Sequence, residues 1–451
     1  MTRGRIACFL FAVIALLAVL CAAFPSGGLL GLRFPRLGEV LSGPGPKGPT
    51  PEELLEQRRQ AVLAAEQDEF LAFFETDPAR FYLPDDDPTF FDSLFVALDS
   101  AERTPLRIIH YGDSQIEEDR ITGTIRSRLQ ARFGGSGPGM MPAREYATRQ
   151  VGGGASAALA RYFIFGDPSY RAGIRQYGPY GDFVRLDTAA VLSYYPVQSR
   201  GEERSTFDQV TLVAGNLHGD LRIRSRGDTL TVEPGEPLVL ARFALPDSSQ
   251  RASLTVSGYA DLYGVLLDGK SGVRMDNVAM RGSGGTFFTA MDAAQLRAFY
   301  EQENVRLLLL QFGGNSIPMF RTDKAVSDNL EAVRRQIRHL QALAPQAKIV
   351  FIGPSDMSTT VRGRLQTYPR LPAFVDSLKV SATQCGAAYW DIYGAMGGEN
   401  SMQAWGAAKP PLAGPDFIHF TLAGAKRVGE MFCDSFFLYY DYYRWRQDND
   451  R

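Results

Sequence analysis

His110-Tyr111-Gly112-Asp113-Ser114 closes the mostly apolar run Leu106-Arg107-Ile108-Ile109, and Ile121, Ile125 and Leu129 follow at helical spacing. A short apolar run ending in a turn reads as a buried strand. The i, i+4 spacing after it reads as a helix near 117–132. Ser114 is therefore expected where a strand turns into a helix. Free N–H groups and the helix dipole would there meet a developing negative charge. A purely structural reading also exists, in which Asp113 or Ser114 only caps the helix. The tripeptide alone does not separate the two.

Working outward, the α/β pattern breaks at the glycine-rich 134–154. From about 160 to 268 the texture is β, with alternation in Val210-Thr211-Leu212-Val213 and in Leu221-Arg222-Ile223-Arg224, and turn residues such as Glu233-Pro234-Gly235 between. The α/β pattern then resumes. Val305 to Phe312 and Ile349-Val350-Phe351-Ile352 read as strands buried on both faces. Helices are expected at about 324–343 and 371–384, a last strand at 387–392, and a last helix from about Thr421. Strand–helix alternation implies right-handed crossovers and a three-layer α/β/α doubly wound parallel sheet. The interruption reads as an inserted β-sandwich or jelly roll.

Open α/β sheets build their sites at the carboxyl ends of the strands. Five such ends carry polar groups: Gly112-Asp113-Ser114-Gln115, Arg281-Gly282-Ser283-Gly284-Gly285, Gly313-Gly314-Asn315-Ser316, Gly353-Pro354-Ser355-Asp356, and Asp416-Phe417-Ile418-His419. Together they hold the parts of acyl transfer. Ser114 is the candidate nucleophile, and a serine hydroxyl needs a base. His419 is the candidate base, and Asp416, three residues earlier, can orient its imidazole. The Ser114 N–H, the Gly282 N–H and the Asn315 amide are candidate oxyanion donors, each typically contributing about 3 kcal/mol. Asp113, Gln115, Asp356 and Trp405 are candidate substrate contacts. His110 is read as a packed core histidine.

These residues resemble the SGNH hydrolases, the GDSL-type esterases. The family's blocks map in order onto Gly112-Asp113-Ser114, Gly282, Gly313-Gly314-Asn315 and Asp416-Phe417-Ile418-His419. The resemblance implies a flavodoxin-like SGNH fold and hydrolysis through an acyl-serine. It departs at Ser316, where many members have aspartate. His110 to Ser114, the segment Phe133-Gly134-Gly135-Ser136-Gly137 and the inserted β domain are also similar to bacterial peptidoglycan O-acetylesterases. That narrower likeness implies removal of O-acetyl groups from a cell-wall or other polysaccharide. Transfer of acetyl to a polysaccharide with a membrane partner, and glycan binding without catalysis, remain open at this stage.

The chain has 451 residues, 45% of them hydrophobic, and a net charge of −2. No bulk charge favours nucleic acid as a partner. Four histidines and four cysteines without a Cys-x-x-Cys pair give no metal signature, so no metal or cofactor is expected. Arg3 and Arg5 precede the uncharged, mostly apolar Ile6 to Phe24, which reads as a signal peptide or signal anchor. The expected plan is this leader at 1–24, a Pro/Gly-rich linker at 25–50 and an amphipathic helix at 51–80. The hydrolase domain takes 85–155 and 270–445, and the β insertion 156–269. The body is expected outside the cytoplasm, periplasmic or at the cell surface, held to the membrane by its N-terminal segment and acting on an acetylated polysaccharide.

Overall fold

In the computed structural model, residues 3–23, 67–144, 146–148, 150–197, 206–249 and 251–449 are described. The expected linker at 25–50 and the first part of the amphipathic helix, 51–66, lie outside these residues. The chain forms two compact units, Met1–Ala64 and Ala65–Arg451. The first contains helix α1, Arg3–Ala23. Its uncharged part, from Ile6, is about 27 Å long at about 1.5 Å per residue. A bilayer's hydrocarbon core is about 30 Å thick. Among the described residues no helix is long and apolar enough to cross a membrane. The expected anchor is therefore a matter for fractionation rather than helix length.

The second unit is built on a six-stranded sheet. Its strands are β1 (Phe81–Tyr82), β2 (Leu106–Gly112), β3 (Val273–Ala279), β4 (Val305–Gln311), β5 (Lys348–Ile352) and β6 (Ala388–Trp390). Their spatial order is β1-β6-β5-β4-β2-β3. All neighbours run parallel except β1, which pairs antiparallel with β6. The five parallel strands thus follow the flavodoxin-like order, and the direction of winding switches between β2 and β4. Side chains alternate across the sheet because the strand period is two. Ile109 and Tyr111 enter one core, and Leu106 and Ile108 the other. Helices α3 (Asp92–Asp99), α4 (Thr122–Phe133) and α8 (Leu422–Asn449) cover the second core. Helices α5 (Ala293–Gln302), α6 (Asp323–Leu343) and α7 (Leu371–Gln384) cover the first. Helix α2, Gln67–Thr76, lays Phe74 flat on Tyr439 of α8 with ring centroids 4.1 Å apart.

Two antiparallel sheets form between β2 and β3, one running from Tyr146–Ala147 to Asp228–Val232 and the other including Val239–Ser249, Phe207–Gly215 and Ala260–Asp268. Their facing side chains share a separate core that includes Leu212, Leu254 and Leu262. Strands at Gly139–Met141, Tyr146–Ala147 and Val151–Ala155 already belong to these sheets, ahead of residue 156. Glycine hides them, since glycine is depleted in strands. At Gly139, φ is +75° and a Cβ would lie 2.3 Å from the Met275 carbonyl oxygen. Only glycine fits that crossing over β3.

Cys385 and Cys433 are free and buried in opposite cores, so the sheet separates them.

Candidate active site

The carboxyl ends of β2 and β4 flank the switch in winding, and Ser114 and Asn315 follow those ends. Ser114 does not open the α-helix. It starts a kinked 3-10 turn, Ser114–Asp119, with Glu118 and Asp119 at positive φ, and α4 begins only at Thr122. Contrary to expectation, Ser114 therefore does not sit at the N-terminus of the α-helix and its dipole. Stabilisation of an oxyanion has to come from individual N–H groups. The Asp113 side chain caps the turn by accepting from the Gln115 N–H at 2.9 Å.

The Ser114 hydroxyl lies 2.9 Å from His419 Nε2. His419 Nδ1 lies 2.7 Å from Asp416 Oδ2. A proton on Nδ1, donated to the carboxylate, leaves the Nε2 lone pair facing the hydroxyl, as a general base requires. The two residues sit on one tight loop. Asp416 Oδ1 accepts from the N–H groups of Ile418 and His419, and Phe417 takes φ +52° between them. Partial burial pushes the Asp416 carboxyl up, but the hydrogen bonds from His419 and Ile418 outweigh it and hold it below its ordinary value. The His419 side chain is 38% exposed and that of Asp416 47% exposed, so solvent shares in orienting the base.

Three groups were expected at the oxyanion. The N–H groups of Ser114 and Gly282 make no hydrogen bond among the described residues. Gly282 has φ +81° in a turn fixed by the Met280 N–H donating to the Gly112 carbonyl at 2.7 Å. Gly285 is excluded as a donor because its N–H is held by Ser283 Oγ at 3.1 Å. Asn315 is placed beside the site, but its amide already donates to Asp113 Oδ2 at 3.0 Å and to the Ser283 carbonyl at 3.1 Å. It reaches an oxyanion only by giving up one of these.

The four expected substrate contacts each make hydrogen bonds within the protein. Asp113 is buried, with its two oxygens on Gln115 and Asn315, and burial pushes its carboxyl up to about 6 against those donors. Gln115 Nε2 donates to the Ile418 carbonyl at 2.7 Å, and its Oε1 accepts from the Phe420 N–H at 3.3 Å. It holds the base loop. Asp356 is fully buried and accepts from Thr367 Oγ1 and the Met402 N–H. Trp405 donates to the Met396 carbonyl and packs on Phe420 at 5.4 Å. Arg120 has no expectation attached to it in the sequence. It donates to the Ser114 carbonyl at 2.6 Å and to the Phe420 carbonyl at 3.3 Å, bridging nucleophile turn and base loop. A charged residue in a turn carries no periodic signal that could have marked it. His110 sits in the core between Thr122 and Gln311, and burial lowers it to about 3, so it stays neutral. Among the described residues no group of acidic, histidine and cysteine side chains could hold a metal ion.

An open cleft of about 480 Å³ adjoins this centre, lined among others by Gly282, Asn315, Ser316 and Asn329.

Residues 227–427 match the GDSL-like lipase/acylhydrolase family, a span holding Gly282, Asn315, Asp416 and His419 but not Ser114. No curated protein matches the chain in sequence. In fold it is similar to a solved structure of a peptidoglycan O-acetylesterase in action. The TM-score is 0.63 at 21% identity, over 78% of this chain and 95% of the other. A protein from Bacillus subtilis overlaps 61% of this chain and 87% of its own at 14% identity, with a TM-score of 0.28. A family two carbohydrate esterase from Cellvibrio japonicus overlaps 53% and 88% at 11% identity, with a TM-score of 0.20. The last two superpose too loosely to carry an argument.

Proposed function

We propose, for a chain whose α/β domain belongs to the GDSL-like lipase/acylhydrolase family, the SGNH hydrolases, that it is an extracytoplasmic serine esterase removing O-acetyl groups from a cell-wall or other polysaccharide. The observation that carries the reading is the unbroken contact from Ser114 Oγ to His419 Nε2 and from His419 Nδ1 to Asp416. Ser114 Oγ attacks the acetyl carbonyl carbon while its proton passes to His419 Nε2. The carbonyl oxygen takes the negative charge next to the free N–H groups of Ser114 and Gly282. Collapse breaks the bond to the glycan oxygen, which receives the proton from His419. Water then attacks the acetyl-serine, losing its proton to the same base, and acetate leaves with Ser114 restored.

Support for the glycan comes from the fold shared with a peptidoglycan O-acetylesterase over 78% of this chain. Support for export comes from Arg3 and Arg5 at the start of α1, whose remainder from Ile6 is uncharged.

The test is release of p-nitrophenol from its acetate and of acetate from purified acetylated wall glycan. Wild type releases both. Ser114→Ala releases neither and keeps its melting temperature within a few degrees. Full activity in Ser114→Ala would sink the reading. Gain of acetate by the glycan would replace hydrolysis with transfer.

A further inference from the structure

A two-stranded hairpin stands beside the catalytic loops and takes no part in the proposed steps. Its strands, Ser358–Val361 and Arg364–Thr367, follow β5 and meet at the tip Arg362-Gly363. We infer that this hairpin is the arm that receives the polysaccharide on the alcohol side of the ester, and that Arg362 and Arg364 bind carboxylates carried by that polysaccharide. The inference rests on the serine esterase reading and deepens it by naming the charge of the substrate.

The root of the hairpin is fixed to both halves of the site. A Cβ on Gly314, one residue before Asn315, would stand 3.3 Å from Met357 Sδ. The Ser358 N–H donates at 3.0 Å to the carbonyl of Phe417, which lies between Asp416 and His419. The second strand is bonded down as well. Thr367 Oγ1 donates to buried Asp356 at 2.7 Å, and the Thr367 N–H donates to Asn400 Oδ1 at 3.2 Å. Gln403 Nε2 donates to the Leu365 carbonyl at 3.3 Å. An arm held at these points is already ordered before a ligand arrives, which lowers the entropic cost of binding.

Proton transfer assigns the side. The leaving glycan oxygen takes its proton from His419 Nε2, so the alcohol half of the ester lies against the loop Asp416 to Phe420. The hairpin is bonded to that loop at Phe417. At about 3.3 Å per residue the first strand carries the tip about 13 Å beyond Ser358. The neighbouring sugars of a polymer reach that far, and the alcohol of a small ester does not.

The tip holds a residue that its turn does not ask for. Arg362 has φ +50° and Gly363 φ +78°. A two-residue hairpin turn with both central residues at positive φ favours Asn-Gly or Asp-Gly. A long side chain in the left-handed region is strained where asparagine is tolerated, so the guanidinium rather than the turn accounts for Arg362. Arg362 and Arg364 are exposed, and residues 358 to 367 include no acidic side chain. Among the described residues neither guanidinium has a hydrogen-bond or ion-pair partner, although Glu399 is exposed on the turn beside the second strand. Asp416 does not answer them, being held by His419 at 2.7 Å. Two uncommitted guanidiniums suit carboxylates, each of which a guanidinium can grip through two N–H groups.

The test uses the full chain on two substrates, p-nitrophenyl acetate and purified acetylated wall glycan, the glycan with its carboxylates either free or converted to amides by carbodiimide and ammonia. Exposed charge pairs are each worth roughly two- to fivefold, so amidation is expected to lower wild-type kcat/KM for the glycan about tenfold. In Arg362→Gln/Arg364→Gln the ratio of kcat/KM for free glycan to that for p-nitrophenyl acetate is expected to fall about tenfold, with no further loss on amidation. A wild type indifferent to amidation would overturn the inference and leave the esterase reading intact. So would an unchanged ratio in the folded glutamine variant. A ratio that falls in the variant but not on amidation, which leaves phosphates charged, would overturn carboxylate as the group recognised. Hydrolysis of neither substrate by wild type would overturn both readings.

Discussion

Gln115 and Arg120 tie two pieces of chain that lie some 300 residues apart in sequence. Each bonds the main chain of the His419 loop, and Arg120 also bonds the Ser114 carbonyl. The 2.9 Å contact of nucleophile and base thus depends on two side chains that touch neither reacting atom. A misplacement of about 1 Å can cost on the order of a hundredfold in rate. Gln115→Ala is expected to lower kcat ten- to a hundredfold with KM for p-nitrophenyl acetate unchanged, measured by steady-state kinetics. A loss of melting temperature alone, with kcat intact, would show a merely structural brace. Asp416→Ala is expected to cost about a hundredfold or more, less than His419→Ala, because orientation goes and the base remains. Asp113 gives a pH signature. Its folded value of about 6 lies above its unfolded one near 4. Its contribution to stability is therefore complete below about pH 4 and is lost as pH rises through 6, a loss of about 3 kcal/mol. Denaturant melts of Asp113→Asn between those pH values should fall less steeply than wild type. The residues of the family blocks were legible because chemistry restricts them to few types at strand ends. Gln115 was visible only as a polar neighbour of Ser114. Where its side chain reaches depends on tertiary packing that no local pattern encodes.

The strands that carry these turns are locked by one buried cation. Arg107 of β2 is fully buried and ion-paired with Asp268, Asp276 and Glu303. Asp268 ends the last strand of the β insertion, Asp276 lies in β3, and Glu303 precedes β4. One guanidinium therefore joins the insertion to the central sheet. Glu303, raised by burial, is brought below its ordinary value by Arg107, Arg242 and Arg274, whereas burial holds Asp276 up at about 6 despite Arg107. Removing one partner of a buried network leaves unpaired charge and costs about 3–5 kcal/mol. Arg107→Met is expected to lose that much in denaturant melts. Without the cation Asp276, already held up at about 6 by burial, would be raised further above its unfolded value, so the deficit should grow as pH rises from about 5 to 8. Elements with strong periodicity, β4 and α6 among them, could be read directly. Arg107 looked like an exception in an apolar run, because its partners arrive from 161 to 196 residues away. The two residues of β1 are too few to show alternation, and the strands at 139–155 are masked by glycines that the crossing itself requires.

At the scale of the molecule, Met1–Ala64 and Ala65–Arg451 are separate compact units, and every residue of the proposed site lies in the second. Protein beginning at residue 65 is expected to keep the kcat/KM and melting temperature of the full chain, checked on both purified forms. Cell fractionation of the full chain, with carbonate extraction of membranes, tests whether the first unit exports or holds it. The order of strand and helix patterns announced a doubly wound sheet with a β interruption, since both periodicities are local. The pairing of that interruption across two sheets is a long-range matter and was not legible. The central claim is that Ser114 is acylated during turnover. The most direct measurement is reaction of the purified protein with a fluorophosphonate probe, followed by peptide mapping and by assay of p-nitrophenyl acetate hydrolysis. One label on the peptide bearing Ser114, with label and hydrolysis both absent from folded Ser114→Ala, is the predicted result. Labelling elsewhere, or hydrolysis undiminished in Ser114→Ala, would contradict it.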